Sequence, residues 1–307
     1  MKKVIGFGAL NVDNFFKVEN LLLSENPAYP IDVQAGGSAA NTITALAKLG
    51  IETGFIGIVA ADAYGKLLIS EFRGRDIDTT NIIIRKSHDL MVGSGSLDAF
   101  VDRQGRRSLF VKPQVNSSLN LNEINLNYIN SASHLHLSSF VDEAQLEIQK
   151  KVVNKIQKNI KISFSPGSLY CDRGLKAILP LIKRTEILFV DKREIYQLVK
   201  KNYQSAAQTL LNLGPKVVVV TKGKDGVFVT SGKTNFEAKA RKVKVVDTTG
   251  AGDAFAAGFL FGQFLKLSLE QSAELGNVVA SFSIQKIGAR IGLPNRKELA
   301  SVVSFLK

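Results

Sequence analysis

The sequence predicts an α/β fold in which a mostly parallel central sheet lies between helices, and three observations lead to this prediction. Short strand-like runs alternate with helical patterns along most of the chain, which is typical of parallel β-α-β units. Apolar runs such as 217–220 fit strands that are buried on both faces. No repeat or long linker interrupts the 307 residues, 45% of them hydrophobic, so we expect a single domain over residues 1–307.

The elements follow one another in a regular order. Six runs are interpreted as strands: VIGFGAL, TGFIGIVA, HLHL, KISF, EILFV and KVVVVTKG. Four segments have helical patterns: Asn41–Leu49, Glu143–Lys158, Glu194–Lys200 and Ser205–Leu213. The basic segment KARKVKVV is interpreted as a further strand with alternating exposure. Two regions, about 14–35 and about 91–112, break the alternation and are predicted to form antiparallel strands, the second around a turn at Gly105. They would make a small sheet that covers a ligand site.

Composition narrows the range of functions. The longest apolar stretch, Ala254–Leu265, is too short to span a bilayer, and the N-terminal run fits a first strand better than a signal peptide. One cysteine, Cys171, suits a reducing cytoplasm. The net charge of +13 is dispersed, and no nucleic-acid-binding motif accompanies it. We therefore expect a cytoplasmic protein that binds small anionic molecules, without nucleic acid or membrane as a partner.

The first strand is followed by the stretch GFGALNVD. Its two glycines invite a dinucleotide-binding interpretation, but Asn11 replaces the third glycine and no helical pattern follows directly. Asp13 is the more informative residue, because it places a carboxylate at the end of a central strand, where ligands bind in open sheets. A turn or capping aspartate is the alternative.

A second stretch, AGGSAANTITALAKLG, places two glycines before a helix whose first turn carries Ser38 and Asn41. Glycine lets the backbone approach a ligand closely, and an asparagine amide can both donate to and accept from a hydroxyl. An ordinary helix entry would show the same residues. The stretch alone leaves both interpretations open.

The third stretch, DTTGAGDAF, lies at a predicted loop-to-helix transition. Consecutive backbone N–H groups at a helix N-terminus bind anions, and Gly250 and Gly252 would leave that site open to a phosphate. Asp253 would repel a resting phosphate, so it makes chemical sense as a base that accepts the proton of an attacking hydroxyl. A simple N-terminal helix carboxylate would not require both glycines and the threonines.

These stretches resemble the signatures of the PfkB (ribokinase-like) family of carbohydrate kinases. GGSAAN with LAKLG looks like its N-terminal signature, and DTTGAGDAF looks like its C-terminal one. The resemblance extends across nearly the whole chain, through Gly57, Asp62 and Gly65, the stretch TKGKDGVF and the segment GAR near residue 288.

The resemblance implies a ribokinase-like three-layer α/β/α sandwich with a small β lid formed by about 14–35 and 91–112. It implies an ATP-dependent kinase that transfers the γ-phosphoryl group to a hydroxyl of a sugar. A nucleoside kinase of the same family, or a catalytically silent ligand-sensing relative, is the alternative. A homodimer through the lid is also compatible with it.

The resemblance also assigns residues. Asp253 would be the catalytic base, with Gly250, Ala251 and Gly252 forming the anion hole. The remaining assignments cover the two substrates and the metal: Asp13, Gly37 and Asn41 for the acceptor, Thr221, Gly223, Gly226 and Asn277 for the nucleotide, and Glu194 with Asp191 for Mg²⁺.

Several residues depart from the family pattern or extend it. Asp191 replaces the asparagine of the common N-x-x-E element, while Glu194 matches, so the metal environment is expected to differ. Ser165 stands where the family often has aspartate, which is expected to affect local structure more than chemistry.

The carbonyls of Asp247 and Thr249 could contribute to a site for a monovalent cation such as K⁺. His134 and His136 share one strand face, but without a third ligand they do not predict a metal site.

Overall fold

The protein is described by a computed structural model that covers residues 3–86, 92–104 and 106–306. The strands of the described residues are β1 Val4–Phe7, β2 Asn11–Lys17, β3 Tyr29–Gly36, β4 Thr53–Ala60, β5 Ile82–Arg85, β6 Ser96–Val101, β7 Arg107–Lys112, β8 His134–Ser138, β9 Lys161–Ser165, β10 Ile187–Asp191, β11 Val217–Thr221, β12 Val227–Thr230 and β13 Asn235–Ala238. The helices are α1 Ser38–Lys48, α2 Ala63–Arg73, α3 Leu126–Asn130, α4 Glu143–Lys155, α5 Gly167–Cys171, α6 Leu175–Ile182, α7 Lys192–Val199, α8 Tyr203–Leu211, α9 Ala251–Phe264, α10 Leu269–Ser283 and α11 Arg296–Val302.

Nine strands form the central sheet, in the order β13-β12-β11-β10-β9-β8-β1-β4-β5. All neighbours from β11 to β5 pair in parallel, and only β12 and β13 at one edge are antiparallel. One hydrophobic cluster, which includes α1, α9 and α10, packs on one face, and a second cluster, which includes α4, α6 and α8, packs on the other. The prediction of a mostly parallel sheet between two helical layers is confirmed.

The strand order fixes where a ligand can bind. β1 lies between β8 and β4, so the chain builds outward from β1 in both directions. Crevices outside the carboxyl ends of parallel strands form at such a switch point. The loops after β1, β10 and β11 and the starts of α1 and α9 converge at this edge of the sheet.

A separate four-stranded sheet, in the order β3-β2-β6-β7, is formed by residues 11–36 and 96–112. We call it the small sheet. The hairpin pairs β2/β3 and β6/β7 are antiparallel as predicted, but the central pair β2/β6 that joins them is parallel. Met91 and the Gly105 turn of the predicted second region lie outside the described residues.

Two local predictions are wrong. The first strand ends at Phe7, and β2 begins at Asn11, so Asp13 lies in the small sheet and not at the end of a central strand. The segment 239–246, interpreted as a strand with alternating exposure, has no regular structure. Basic and apolar residues alternate through part of this segment, but no strand among the described residues pairs with its backbone. No helix within the described residues is long and apolar enough to cross a membrane.

His134 and His136 are buried together beneath α9. Nε2 of His134 and Nδ1 of His136 both lie 2.8 Å from Oγ of Ser163, and the His134 ring packs edge-on against Phe264. Burial lowers the pKa of both imidazoles from 6.5 to about 3, so both are neutral at physiological pH. The pair belongs to the core.

This pair is expected to make the fold acid-sensitive. An unfolded histidine takes up a proton as the pH falls below 6.5, whereas the folded ones resist until about pH 3, so stability is lost on acidification. Between pH 6.5 and pH 5, each histidine should lower the free energy of unfolding by about 2 kcal/mol. We expect His136→Gln to remove that part of the pH dependence.

The measurement is urea unfolding of the parent and of His136→Gln from pH 7.5 to pH 5. Buried carboxyls with raised pKa values act in the opposite direction in both proteins. When the free energy of unfolding is plotted against pH for each protein, the contribution of His136 is therefore the difference between the two curves. Parallel curves would contradict the prediction.

Candidate active site

Asp253 lies in the first turn of α9, where the start of α1 packs against it. Oγ of Ser38 donates to Oδ1 of Asp253 at 2.6 Å, and Nδ2 of Asn41 donates to Oδ2 at 2.9 Å. Burial raises the pKa of the Asp253 carboxyl to about 6, although these two hydrogen bonds and Arg290 oppose the rise. The carboxylate is fixed in position and is basic enough to accept a proton near neutral pH.

Backbone amides surround the entrance to α9. Gly250 is the N-cap residue with φ +70°, and a Cβ atom there would lie 2.4 Å from Cβ of Ala289, so this turn requires glycine. The amide of Ala251 donates to the carbonyl of Thr248 at 3.2 Å. Within the described residues, the amides of Gly252 and Asp253 have no hydrogen-bond partner. They are free to bind an anion, whereas the amide of Ala251, assigned to the anion hole from the sequence, is already engaged.

The small sheet supplies Asp13 to the same site. Its side chain is only 9% exposed, and no hydrogen bond to it is found among the described residues. The carboxylate lies against Gly36, where a Cβ atom would come within 2.3 Å of Oδ2. Burial raises the pKa of Asp13 to about 7, with Arg290 lowering it and Asp253 raising it further. An unpaired carboxylate beside Gly37, the N-cap of α1, is suited to accept hydrogen bonds from hydroxyl groups.

Arg290 is a buried residue that contacts both α1 and the end of β3. The side chain is 4% exposed; Nε donates to Oδ1 of Asn41 at 2.8 Å, and Nη2 donates to the carbonyl of Gly36 at 2.9 Å. Burial lowers its pKa to about 10, which still leaves it charged at neutral pH. Both sides of the Asn41 amide are therefore committed within the protein, to Asp253 and to Arg290. Asn41 orients the carboxylate of Asp253 and has one amide hydrogen left for a ligand.

A cleft of about 430 Å³ opens on the other side of the α9 entrance. Its lining includes all four residues assigned to the nucleotide and two of the anion-hole residues: Thr221, Gly223, Gly226, Asn277, Ala251 and Gly252. Phe255 and Ile284 add apolar surface, and Lys224 and Arg241 add positive charge. A cleft with apolar walls and cations that ends at free amides fits a base and a polyphosphate.

Asp191 is the last residue of β10, in register with Thr221 of β11, and Glu194 lies in the first turn of α7 that follows. They form a capping box: Oδ1 of Asp191 accepts from the amides of Arg193 and Glu194, and Oε2 of Glu194 accepts from the amide of Asp191. Burial, with the charge of Asp191, raises the pKa of Glu194 to about 7. The described residues contain no cluster of three or more metal-binding side chains.

The comparisons with known proteins identify the family of the chain. The model of the pfkB family carbohydrate kinases matches residues 1–296, nearly the whole chain. The chain belongs to the pfkB family of carbohydrate kinases. It is a kinase of the class that transfers a phosphoryl group from ATP to a hydroxyl group of a carbohydrate.

Three relatives of this pfkB family kinase illustrate the range of similarity. An uncharacterized sugar kinase of Archaeoglobus fulgidus is 36% identical over 81% of this chain and 98% of its own. An ATP-dependent ribose-1-phosphate kinase of Halopiger xanaduensis is 28% identical over 99% of both chains. The structure of an Arabidopsis thaliana ribokinase complexed with ribose and ATP superposes with a TM-score of 0.85 at 22% identity, over 99% of both chains. The predicted ribokinase-like fold is confirmed.

Sequence reasoning missed three residues in or beside the candidate site, and the third of them, Arg107, pairs with Asp247 before the start of α9. Ser38 was noted in the helix but not as a partner of the base. Arg290 follows Gly288-Ala289, and a charged residue in an otherwise apolar closing segment was the available signal. Arg107 is one of three arginines in a short stretch, and nothing in the sequence distinguishes it from the others.

Proposed function

We propose that this kinase phosphorylates a hydroxyl group of a small sugar or sugar phosphate held by Asp13, with Asp253 as the base. The observation that supports the proposal is the position of Asp253, between the unpaired carboxylate of Asp13 on one side and the free amides of residues 252 and 253 on the other. An alcohol bound at Asp13 and a phosphate bound at those amides would meet at Asp253.

In the proposed reaction, the acceptor oxygen attacks the γ-phosphorus of ATP and its proton passes to Asp253. The bond from the γ-phosphorus to the bridging oxygen breaks, and ADP leaves with that oxygen. The amides at the α9 entrance and the helix dipole stabilise the charge on the transferred group. Ser38 and Asn41 keep the carboxylate aimed at the acceptor.

Acceptor-dependent ADP release over a panel of sugars, sugar phosphates and nucleosides tests this proposal. The panel begins with ribose and ribose 1-phosphate, because relatives are named for these two molecules. We expect at least one sugar or sugar phosphate to be phosphorylated more efficiently than any nucleoside. Preference for a nucleoside would contradict the proposed substrate class, and no turnover with any acceptor would contradict the whole proposal.

Asp13→Asn is expected to weaken acceptor binding specifically. Hydrogen bonds to a charged group contribute about 1.5–3 kcal/mol, so KM for the acceptor should rise about ten- to a hundredfold while KM for ATP stays unchanged. Because the pKa of Asp13 is about 7, the parent's acceptor KM should fall as the pH rises through 7. In the variant this pH dependence should disappear.

Asp98→Asn is the matched control, since Asp98 lies on the neighbouring strand and binds Asn14 and Lys112 on the opposite face of the small sheet. Steady-state kinetics from pH 6 to pH 8 measures all three proteins. Equal changes in the KM of acceptor and ATP would count against the role of Asp13.

Mg²⁺ is proposed to bind near Glu194 and Asp191, together with the nucleotide phosphates. The donor chemistry fits: both are carboxylates, and each keeps one oxygen without a hydrogen-bond partner among the described residues. The pKa of Glu194 is raised by burial and then by the negative charge of Asp191, and a cation would offset that charge. When bound, Mg²⁺ would offset the charge of the phosphates. The protein's part is to hold two carboxylates at the end of β10.

Asp191→Asn should raise the Mg²⁺ concentration required for half-maximal activity. A unit charge about 8 Å from a divalent ion in a water-filled site contributes about 1 kcal/mol, which corresponds to about fivefold. Asparagine is as good an N-cap as aspartate, so the fold and kcat at saturating Mg²⁺ should be preserved. Glu147→Gln, on the exposed face of α4, is the control; an unchanged Mg²⁺ requirement in Asp191→Asn would contradict the assignment.

Two further proposals concern the assembly and the location. Val33 and Phe110 are each about half exposed and lie on the face of the small sheet opposite Asp13. A second copy of the chain on this face would bury them, so we propose a homodimer through the small sheet, which light scattering of the parent and of Phe110→Asp would test. A cytoplasmic location is proposed because the reaction uses ATP.

The surroundings of Asp247 fit a monovalent cation poorly. The backbone carbonyls of Asp247 and Thr249 could bind K⁺, but the carboxylate that would attract it is already paired with Arg107. We therefore assign no step of the reaction to K⁺.

A further inference from the structure

Arg107 lies at the start of β7 in the small sheet, and its guanidinium reaches the segment that leads into α9. Nη1 lies 3.0 Å from Oδ1 of Asp247 and 2.9 Å from Oγ1 of Thr249, while Nη2 lies 2.7 Å from Oγ1 of Thr248. A guanidinium suits this arrangement because its N–H groups are fixed in a planar fork. One side chain of the small sheet thus binds three consecutive residues beside the phosphate-binding amides.

The carboxylate of Asp247 is fully engaged by these and other donors. Oδ1 also accepts from the amide and hydroxyl of Thr249, and Oδ2 accepts from the amide of Gly288 at 2.8 Å. Burial opposes ionisation, but the hydrogen bonds from Gly288 and Thr249 and the charge of Arg107 hold the pKa of Asp247 below its usual value. Asp247 is therefore an anion in a partly buried position.

A buried anion requires a positive partner. Over residues 3–86, 92–104 and 106–306, Arg107 is the only basic side chain in ion-pair contact with Asp247. Asp247 in turn joins the α9 entrance to the turn at Gly288, which precedes Arg290. The positive charge that pairs with Asp247, and through it contacts both the α9 entrance and the Gly288 turn, therefore comes from Arg107 of the small sheet.

We propose that Arg107 is a positioning residue that supplies the cation of the Asp247–Thr249 segment in place of a bound monovalent ion. The segment includes Thr248, which lines the nucleotide cleft and whose carbonyl accepts a hydrogen bond from the amide of Ala251. Docking of the small sheet therefore orders the nucleotide site, and nucleotide binding needs no K⁺.

The test uses Arg107→Met, which removes the charge and retains most of the side-chain length. The probe is the Mg²⁺ complex of AMP-PNP, a non-hydrolysable ATP analogue, titrated calorimetrically with tetramethylammonium as the only monovalent cation. Loss of charge-assisted hydrogen bonds should weaken binding about tenfold or more. Adding KCl or millimolar guanidinium chloride should restore most of the affinity, while the parent should bind equally in all three buffers.

Arg103→Met is the matched control, because Arg103 lies in the same hairpin, is exposed and pairs with Glu19. It should behave like the parent. The Arg107→Lys variant retains the charge and should show little dependence on added cation, which provides a second measurement if Arg107→Met does not fold.

Three results would overturn the proposal: an Arg107→Met variant that binds as tightly as the parent in tetramethylammonium, a weak variant that neither K⁺ nor guanidinium restores, or a parent that depends on K⁺ as strongly as the variant does. A protein that behaves as expected here but phosphorylates no sugar would contradict the proposed function and leave this inference standing.

Discussion

Asp253→Asn is expected to lower kcat about 10²- to 10⁴-fold, the range that a general base contributes. An asparagine side chain has nearly the same shape and can still meet Ser38 and Asn41, but it cannot take the proton of the acceptor. ATP binding should survive or tighten, because a negative charge beside the phosphates is removed. The measurement is kcat together with the affinity for ATP.

The pH dependence provides an independent check on the base. Since the pKa of Asp253 is about 6 and the ionised form is the base, kcat/KM for ATP at saturating acceptor should fall as the pH drops below 6. The residual activity of Asp253→Asn should lack this acid limb. Turnover near the parent rate would rule out Asp253 as the base.

Gly252→Val is the contrasting variant. A Cβ atom at Gly252 meets no atom within 4 Å, so the side chain would extend into the open cleft and not into the protein. We expect it to weaken ATP binding, in contrast to Asp253→Asn. Similar effects of both variants on ATP affinity would mean that the base and the anion site are not separate.

Arg290→Met is expected to have the largest effect on stability. Removing one partner from a buried ionic network costs about 3–5 kcal/mol, because Asp13 and Asp253 would lose their shared cation. The loss should be greater at pH 8 than at pH 5.5, since protonated carboxyls no longer need that cation. The pKa of Asp253 should also rise, which would move the acid limb of the activity to higher pH.

Urea unfolding at both pH values and the pH–rate profile measure these effects. Arg75→Met is the control, because Arg75 is partly exposed, lies just after α2 and pairs with Glu71 of that helix. Equal stability losses in the two variants, with unchanged acid limbs, would show that Arg290 does not stabilise the ionised carboxyls of Asp13 and Asp253.

Most of the architecture could be predicted from the sequence because its determinants are local. The apolar run at Val217–Val220 and the glycine-rich entrance at Gly250–Gly252 specify a buried strand and an anion-binding helix start without reference to distant residues. The small sheet was located, but its parallel central pair could not be predicted, since strand pairing between β2 and β6 joins segments about 80 residues apart.

The site was predicted less completely, because its side chains act through long-range contacts. Asn41 was expected to bind the acceptor, yet its amide is divided between Asp253 and Arg290, which are over 200 residues away in sequence. The ion pair of Arg107 with Asp247 is equally non-local. Neither the hydrophobic periodicity of the sequence nor the spacing of its motifs indicates such pairs.

The raised pKa values at the site have a consequence for any attempt to engineer this enzyme. Asp13, Asp253 and Glu194 are kept charged at pH 8 against a preference for protonation, so each reduces the stability of the ligand-free fold. Glu194→Gln removes no partner of Arg290 and should melt at a higher temperature than the parent while losing function, whereas a neutral residue at Asp13 or Asp253 also leaves the buried Arg290 with fewer counter-ions. A library selected for heat resistance alone would therefore be enriched in enzymes altered at Glu194, and selection for turnover at high temperature would be needed to keep that carboxyl.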